Sequence, residues 1–242
     1  LKQYIGTRIT DYNPTSGGKW RIFYYDADGD FGTAGKLYLK KDYESAANTN
    51  LGGYRSYTPS AQGLEIMKAM NPKWRDYPTA GANTIDLENE HCVAWLCDPV
   101  NWTDYKIAEA DYAIGSPSVE MYMKAFNVWK TGNKDATNLV CRVEEDLKIQ
   151  TFEGANGYSV GSKNVTDQVY VYQNAGAYTN PNTIETGPNN IFMTAGKKCI
   201  WWLASPSSTR RADRILNVCG NYAYLNSSGC GETFGACPVV SL

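Results

Sequence analysis

Few side chains in this sequence combine the types and the spacing that catalysis or metal binding requires. The only histidine, His91, directly precedes Cys92, and Cys97 follows after four intervening residues. This His-Cys-x4-Cys pattern could supply zinc ligands, but structural zinc sites normally add a second close pair of ligands, which the sequence lacks. A lone histidine also leaves no obvious partner for a Ser-His-Asp or Cys-His arrangement. We therefore predict no catalytic residue, no bound metal and no cofactor.

The acidic residues suggest solvated surfaces more than chemistry. Carboxylate runs occur at 86–90 and 144–146, and such runs usually form solvated faces. The connection 26–30, Asp-Ala-Asp-Gly-Asp, resembles a calcium loop, but Phe31 and Leu37 stand where an EF-hand places glycine and glutamate. We interpret this connection as a solvated turn, with a bound calcium ion as the alternative.

The cysteines favour an exported domain. The chain has 7 cysteines, and a disulfide between Cys219 and Cys230, or one that uses Cys237 or Cys199, would fit an oxidising compartment. The connectivity does not follow from sequence, and an odd number leaves at least one thiol unpaired or intermolecular.

Composition excludes several classes of protein. The 242 residues are 43% apolar, enough to bury a sizeable core, and we predict a single domain over 1–242. The net charge of −2 makes binding to nucleic acid unexpected, and no apolar run reaches the length of a membrane helix. The chain begins at Leu1 with neither an initiator methionine nor a signal-peptide pattern. We interpret it as a trimmed ectodomain that does not itself insert into a membrane.

Periodicity predicts a hairpin near the start of the chain and two amphipathic helices. The β-prone runs Trp20–Tyr25 and Lys36–Lys40 predict an antiparallel hairpin within 18–43. One helix is predicted near 60–70, opened by Pro59–Ser60–Ala61 and stopped by Asn71–Pro72.

The second helix is predicted near 117–130, with Ser116 as its cap, Pro117 at its first position and Gly132 at its end. From residue 131 to 190 the chain is polar and irregular. We expect long loops there, with small strands at Leu139–Val143 and Val169–Tyr172.

The last part of the chain, 200–242, has apolar ends around a polar middle. Ile200–Leu203 and Pro238–Leu242 are apolar, and about thirty residues rich in Ser, Asn, Gly, Arg and Tyr separate them. Apolar runs of this kind can pair as buried strands, whereas the polar stretch gains little from burial. We therefore expect 200–242 to be a display segment, held at both ends and exposed between them.

Six short runs along the chain read, in order, WRIFYYD, LYLKKDY, AWLCDPVNW, YAIGSPSVEMYMKAFN, WWLASP and PVVSL. In this order they resemble the sequences of bacterial C-type-lectin-like domains related to the formylglycine-generating-enzyme fold. Where these domains usually carry Gly-Val/Phe-Arg-Pro, this chain has Gly235–Ala236–Cys237–Pro238. The resemblance implies an α+β fold with mostly antiparallel sheets, two short helices and long loops.

The same fold serves as the variable protein of diversity-generating retroelements, in which the stretch before the C-terminus is mutated to make new binding surfaces. Tyrosines supply rigid contact area, asparagines and serines supply adaptable hydrogen bonds, and arginines can bind anions. Leu216 and Val218 are predicted to point inward, with Asn217 and Cys219 outward. The predicted ligand-binding residues are Arg210, Arg211, Asp213, Arg214, Asn217, Cys219, Asn221, Tyr222, Tyr224, Asn226 and Ser227.

From this we predict a non-enzymatic adhesin or receptor-recognition protein, extracellular or on the surface of a bacterium or phage. Its partner would be a protein or glycan on a host or neighbouring cell. Two alternatives remain open: a minor pilin or surface-fibre subunit, and a formylglycine-generating type of oxidase that uses Cys219, Cys230 and Cys237. The alternative for the arginines is an ordinary solvated basic patch.

Overall fold

A computed structural model describes residues 2–42, 47–72, 88–135, 141–142, 149–150, 152–153, 159–160, 200–206, 214–219 and 224–242. Within these residues the fold is α+β, with two five-stranded sheets, two two-stranded ribbons and three α-helices. The helices are α1 (Ala61–Met70), α2 (Glu88–Cys97) and α3 (Val119–Thr131). The strands are β1 (Arg8–Ile9), β2 (Trp20–Asp26), β3 (Lys36–Lys41), β4 (Ala47–Asn50), β5 (Tyr112–Ile114), β6 (Cys141–Arg142), β7 (Ile149–Gln150), β8 (Phe152–Glu153), β9 (Ser159–Val160), β10 (Ile200–Pro206), β11 (Arg214–Cys219), β12 (Tyr224–Gly229), β13 (Thr233–Ala236) and β14 (Val239–Ser241).

The first sheet is antiparallel throughout and has the order β1-β2-β3-β14-β5. The second has the order β12-β11-β10-β13-β4, and it is antiparallel except for the parallel pair β10 and β13. The expectation of mostly antiparallel sheets is therefore confirmed. The number of helices was underestimated, because the segment around His91, which the sequence left between a helix and a tight turn, forms α2.

The two apolar ends of the display segment do not pair with each other. β10 lies in the middle of the second sheet, whereas β14 lies between β3 and β5 in the first. Because each run finds its partners in a different sheet, residues 200–242 connect the two sheets. One cluster of buried side chains includes residues of both sheets and of all three helices, so the sheets share a hydrophobic core.

The end of the chain is anchored although it lacks the usual arginine. The backbone N–H of Cys237 donates to Ser116 Oγ at 3.2 Å, and the Pro238 carbonyl accepts from the Lys41 N–H at 2.8 Å. Val239 and Val240 are completely buried. Backbone hydrogen bonds and apolar burial thus position the last strand.

The ends of the helices match the sequence in part. Within the predicted opening Pro59–Ser60–Ala61, Ser60 caps α1 by accepting from the Gly63 N–H. Gly132 ends α3 with a left-handed φ of 83°, as predicted. The predicted N-cap of α3 was wrong by two residues, because Ser118 and not Ser116 caps the helix by accepting from the Met121 N–H.

The hairpin of β2 and β3 is confirmed, and the prediction that its acidic connection is a solvated turn holds only in part, because Ala27 and Asp28 are exposed but Asp26 is not. Asp26 is completely buried, and its carboxylate accepts from the N–H groups of Gly29, Asp30 and Phe31 at 3.0, 2.8 and 2.8 Å. Three backbone donors therefore satisfy the charge of Asp26, and the carboxylate holds the loop in shape.

The strand expected at Leu139–Val143 contains β6, which pairs with β7. The piece expected at Val169–Tyr172 lies outside the described residues.

Candidate functional site

The candidate site lies on the hairpin of β11 and β12, whose register fixes where each described residue stands. Arg214 is opposite Gly229 at one end of the hairpin, and Cys219 is opposite Tyr224 at the other. Strand β12 is at the edge of its sheet and β11 is next to it, followed by β10. The hairpin thus continues a sheet whose centre belongs to the core.

Apolar side chains fix the hairpin to the core. Ile215, Leu216 and Val218 of β11 and Leu225 of β12 have no exposed surface. In the neighbouring β10, Trp202 is fully buried and its indole N–H donates to the Thr49 carbonyl at 2.9 Å. The prediction that Leu216 and Val218 point inward is therefore confirmed.

The prediction that Asn217 points outward was wrong. Asn217 is 0% exposed, and its Nδ2 donates to Ser228 Oγ at 3.0 Å. Side chains alternate between inward and outward only in a strand that has one face packed on the core and the other face in solvent. Strand β11 has β10 and β12 on its two sides, and helix α2 packs against it, so four successive residues are buried. The buried Asn217 side chain therefore stabilises the hairpin. It is not available to contact a ligand on the surface.

Arg214 and Ser227 are both half-buried, and much of the arginine's hydrogen bonding stays within the hairpin. The guanidinium Nη1 of Arg214 donates to the Ser227 carbonyl at 2.7 Å and approaches Ser227 Oγ at 3.5 Å. This contact bridges the two strands. Arg214 therefore has less capacity to bind a ligand than an unengaged arginine would have.

The hairpin has two ends that no small ligand can contact at once. Arg214 and Cys219 are five residues apart along β11, and a strand rises about 3.3 Å per residue, which separates the two ends by about 17 Å. Arg210, Arg211 and Asp213 precede the Arg214 end in sequence, whereas Asn221 and Tyr222 follow the Cys219 end. Among the described residues, Arg214 and Cys219 therefore do not share one compact site.

Several predicted residues lie outside what the structure describes. These are Arg210, Arg211, Asp213, Asn221 and Tyr222. The backbones of Cys219, Tyr224 and Asn226 are placed in their strands, but their side chains lie outside the description as well.

The two metal alternatives find no support in the described part of the chain. Cys92 is fully buried and its thiol donates to the Leu51 carbonyl at 3.0 Å, while His91 Nδ1 lies 2.5 Å from the Arg55 carbonyl oxygen. Within the described ranges, no group of three or more His, Cys, Asp or Glu side chains could hold a metal ion.

In the acidic connection, the carboxylates beyond Asp26 pair with lysines. Asp30 Oδ2 is 2.5 Å from Lys134 Nζ and 3.2 Å from Lys124 Nζ, and Asp28 Oδ2 is 2.7 Å from Lys134 Nζ. A calcium ion would have to displace these ammonium groups to reach the carboxylates.

The cysteines whose side chains the structure describes are buried thiols. Cys92, Cys97, Cys230 and Cys237 all have this form, so the expected disulfides through Cys230 or Cys237 are not formed. Burial, reinforced by the charge of Asp98, raises the pKa of Cys97 well above its usual value. Since a cysteine reacts as the thiolate, Cys97 is unreactive at neutral pH.

Neither a protein-family model, a curated protein nor a solved structure matches the chain. Among the residues that the structure describes, no helix combines the length and the apolar character that crossing a membrane requires.

Sequence reasoning missed a second group of polar residues, which lies on the first sheet. Tyr38, Tyr112 and Ser241 stand opposite one another on three neighbouring strands and line a cleft. Each of them stands in one of the short runs that carry the resemblance, LYLKKDY, YAIGSPSVEMYMKAFN and PVVSL, but these runs are far apart in the chain. Only the pairing of β14 between β3 and β5 brings the three residues together.

Proposed function

We propose that this protein is a non-catalytic recognition protein of C-type-lectin-like fold. It is displayed outside a bacterium or phage, and it binds a protein or glycan on a host or neighbouring cell. The binding surface is the Cys219 end of the β11–β12 hairpin, where the connection of residues 220–223 carries Tyr222 and is flanked by Tyr224.

One observation carries this proposal: buried side chains and a cross-strand contact hold the hairpin in place. Ile215, Leu216, Val218 and Leu225 are 0% exposed, and the Arg214–Ser227 contact holds the two strands together. A surface built on strands that are already ordered binds at a lower entropic cost than a flexible segment does. Substitutions in the connection also leave the buried side chains unchanged, so the surface can vary without loss of the fold.

The chemistry of the connection favours recognition over catalysis. It reads Gly-Asn-Tyr-Ala and is followed by Tyr224. Tyrosine offers a large amphipathic area with few rotatable bonds, and asparagine offers both a donor and an acceptor, which is the composition that antibody loops use. At the opposite end, Arg214 is engaged with Ser227, so we assign most of the affinity to the tyrosine end.

Variants at the two ends test the proposal. The purified protein is screened against glycan arrays and panels of host and bacterial cells, and affinity is then measured for any ligand that binds. The double variant Tyr222→Ala with Tyr224→Ala is expected to lose binding, because truncation of aromatic anchors at an interface costs about 2 kcal/mol or more each, or about 30-fold each. Arg210→Ala with Arg211→Ala is expected to weaken binding less.

Tyr4→Ala is the matched control, because Tyr4 is also a tyrosine, is 53% exposed and stands in the turn at 2–4, outside the hairpin. It should bind as the unmodified protein does. Full binding by a correctly folded Tyr222→Ala, Tyr224→Ala protein would refute the assignment.

Diversification by a retroelement makes a separate prediction about natural copies of the gene. Adenine-directed mutagenesis acts on Asn and Tyr codons, so copies from one bacterial population should differ at Asn221, Tyr222 and Tyr224. Positions 201–203 and 239–240 should stay constant, because they are buried. Differences spread evenly along the gene would argue against diversification without affecting the binding proposal.

A further inference from the structure

A cleft of about 320 Å³ lies on the first sheet, away from the hairpin. Its walls come from the loop at Phe31–Thr33 and from α1, and its floor from β3, β5 and β14. Ligand pockets typically have volumes from about 300 to 1,000 Å³, so this cleft suits a small molecule.

A row of three residues across adjacent strands forms the floor. Ser241 of β14 is in register with Tyr38 of β3 on one side and with Tyr112 of β5 on the other. Residues in register share one face of a sheet, and the small serine leaves room for the two rings to lean towards each other. Their hydroxyl oxygens are 3.4 Å apart. Tyr38 and Ser241 are each 1% exposed and Tyr112 is half-buried, so Tyr112 supplies most of the aromatic surface that the floor presents to the cleft.

Both tyrosine hydroxyls keep their protons at neutral pH. Burial is the main cause that raises the pKa of Tyr38 and of Tyr112, and the charges of nearby groups raise both further. The floor is thus neutral.

The charge on the walls is unbalanced. Lys36 and Asp111 also line the cleft, and their charges neutralise each other, because Lys36 Nζ lies 2.5 Å from Asp111 Oδ2. Glu65 lines the α1 wall, is exposed, and has no ion-pair partner among the described residues. The Glu65 carboxylate on the α1 wall attracts a cation by ion pairing, and the exposed part of the Tyr112 ring on the floor attracts it through the negative face of the ring.

We propose that this cleft binds a small organic cation, namely a protonated amine on a compact apolar body, with its ammonium group at Glu65 and its body against the Tyr112 ring on the floor. Ile66 and Ala69 on the α1 wall supply apolar contact for the body of the ligand. The cleft is a site additional to the hairpin, because it belongs to the other sheet.

Three probes of the same shape test the sign of the charge. Benzylamine, benzyl alcohol and benzoate are compared by isothermal titration calorimetry on the whole protein. Benzylamine is expected to bind with saturation at millimolar concentrations, more tightly than benzyl alcohol and far more tightly than benzoate. Equal binding of the three probes, or no saturable binding of benzylamine, would overturn the proposal.

Variants locate the binding. Glu65→Gln is expected to weaken benzylamine about five-fold and to leave benzyl alcohol unchanged, because only the charge is lost. Ala69→Trp adds a large side chain at the wall and should block both probes. Glu232→Gln removes an exposed carboxylate at the turn after β12 and should change neither.

Two further outcomes would contradict the proposed site. Undiminished binding of benzylamine to Glu65→Gln would refute the role of Glu65, and undiminished binding to a folded Ala69→Trp protein would place the site elsewhere. Thermal unfolding of each variant, followed by circular dichroism, shows that a loss of binding is not a loss of fold. Glu65 is exposed and Ala69 is half-buried at the wall of the cleft, and Ala69→Trp is interpreted only with an unfolding transition that matches that of the unmodified protein.

Discussion

Asn71 should be among the polar residues on which the stability of the fold depends most strongly. It follows α1 and is 1% exposed. Its Nδ2 donates to the Met67 carbonyl at 3.0 Å and to the Ala204 carbonyl at 2.9 Å, and its Oδ1 accepts from Ser205 Oγ at 2.5 Å. Ser205 Oγ in turn accepts from the Val119 N–H at 2.9 Å. This network joins the end of α1, strand β10 and the start of α3.

The loss of stability expected for Asn71→Ala follows from the hydrogen-bond partners that the Asn71 side chain has in the core. The substitution removes three hydrogen bonds and leaves the Ala204 carbonyl and the Ser205 hydroxyl without this partner in the core. A buried polar group that loses its partner costs about 1–3 kcal/mol, so the free energy of unfolding should fall by about 3 kcal/mol. For a protein of this size, that corresponds to a decrease in Tm of about 6–12 °C.

Urea denaturation followed by tryptophan fluorescence measures this change. Asn13→Ala is the control, because Asn13 is exposed and makes one long hydrogen bond of 3.4 Å, and it should change the free energy by less than about 0.5 kcal/mol. In a double-mutant cycle, Asn71→Ala and Ser205→Ala should couple by about 1 kcal/mol or more. A loss below 1 kcal/mol for Asn71→Ala, or strict additivity with Ser205→Ala, would refute the reasoning.

Two more predictions concern Asp98 and Gly115. Burial alone would raise the pKa of Asp98, but hydrogen bonds from the Ser60 N–H, the Tyr57 hydroxyl and the Ser60 hydroxyl outweigh it and lower the pKa. Since the folded-state pKa is below the unfolded one, the stabilisation by this carboxylate is complete above about pH 4 and is lost as the pH falls through the folded value. Urea denaturation at several pH values should therefore show Asp98→Asn to be destabilised by about 2 kcal/mol at pH 7 and by less at pH 3; an equal difference at both would contradict this. A Cβ at Gly115 would overlap Cζ2 of the Trp102 ring. Gly115→Ala should therefore lower the melting temperature. An unchanged melting temperature would contradict this prediction, because it would mean that the Trp102 ring moves aside without cost.

The local elements were largely predictable from the sequence. Ser60 as a cap, Gly132 as a helix end and the hairpin of β2 and β3 each depend on residues near one another in the chain. The cap of α3 was not predictable, because the sequence Ser116–Pro117–Ser118 offers two serines. Contacts from distant residues decide between them, since Ser116 Oγ accepts from the Cys237 N–H and Ser118 Oγ accepts from the Met121 N–H.

Helix α2 was missed because it lacks an amphipathic pattern. Its residues Cys92, Val93, Ala94, Leu96 and Cys97 are all 0% exposed, so its apolar residues do not follow a single helical face. A helix buried on most sides cannot be told from a buried strand by periodicity alone.

The candidate site was predictable only as a set of residue types. Composition identified the polar segment between apolar ends, and Leu216 and Val218 were correctly placed in the core. The burial of Asn217 and the separation of Arg214 from Cys219 depend on strand pairing, which the sequence does not specify. The insertion of β14 between β3 and β5 is a contact of the same long-range kind.

The central claim is that the buried part of the molecule determines the fold and that the Cys219 end of the hairpin determines binding. The most direct test measures both properties on one protein, the triple variant Tyr222→Ala, Tyr224→Ala and Arg211→Ala. We predict a free energy of unfolding within about 1 kcal/mol of the unmodified protein together with loss of ligand binding. Retained binding, or a loss of stability of several kcal/mol, would contradict the claim.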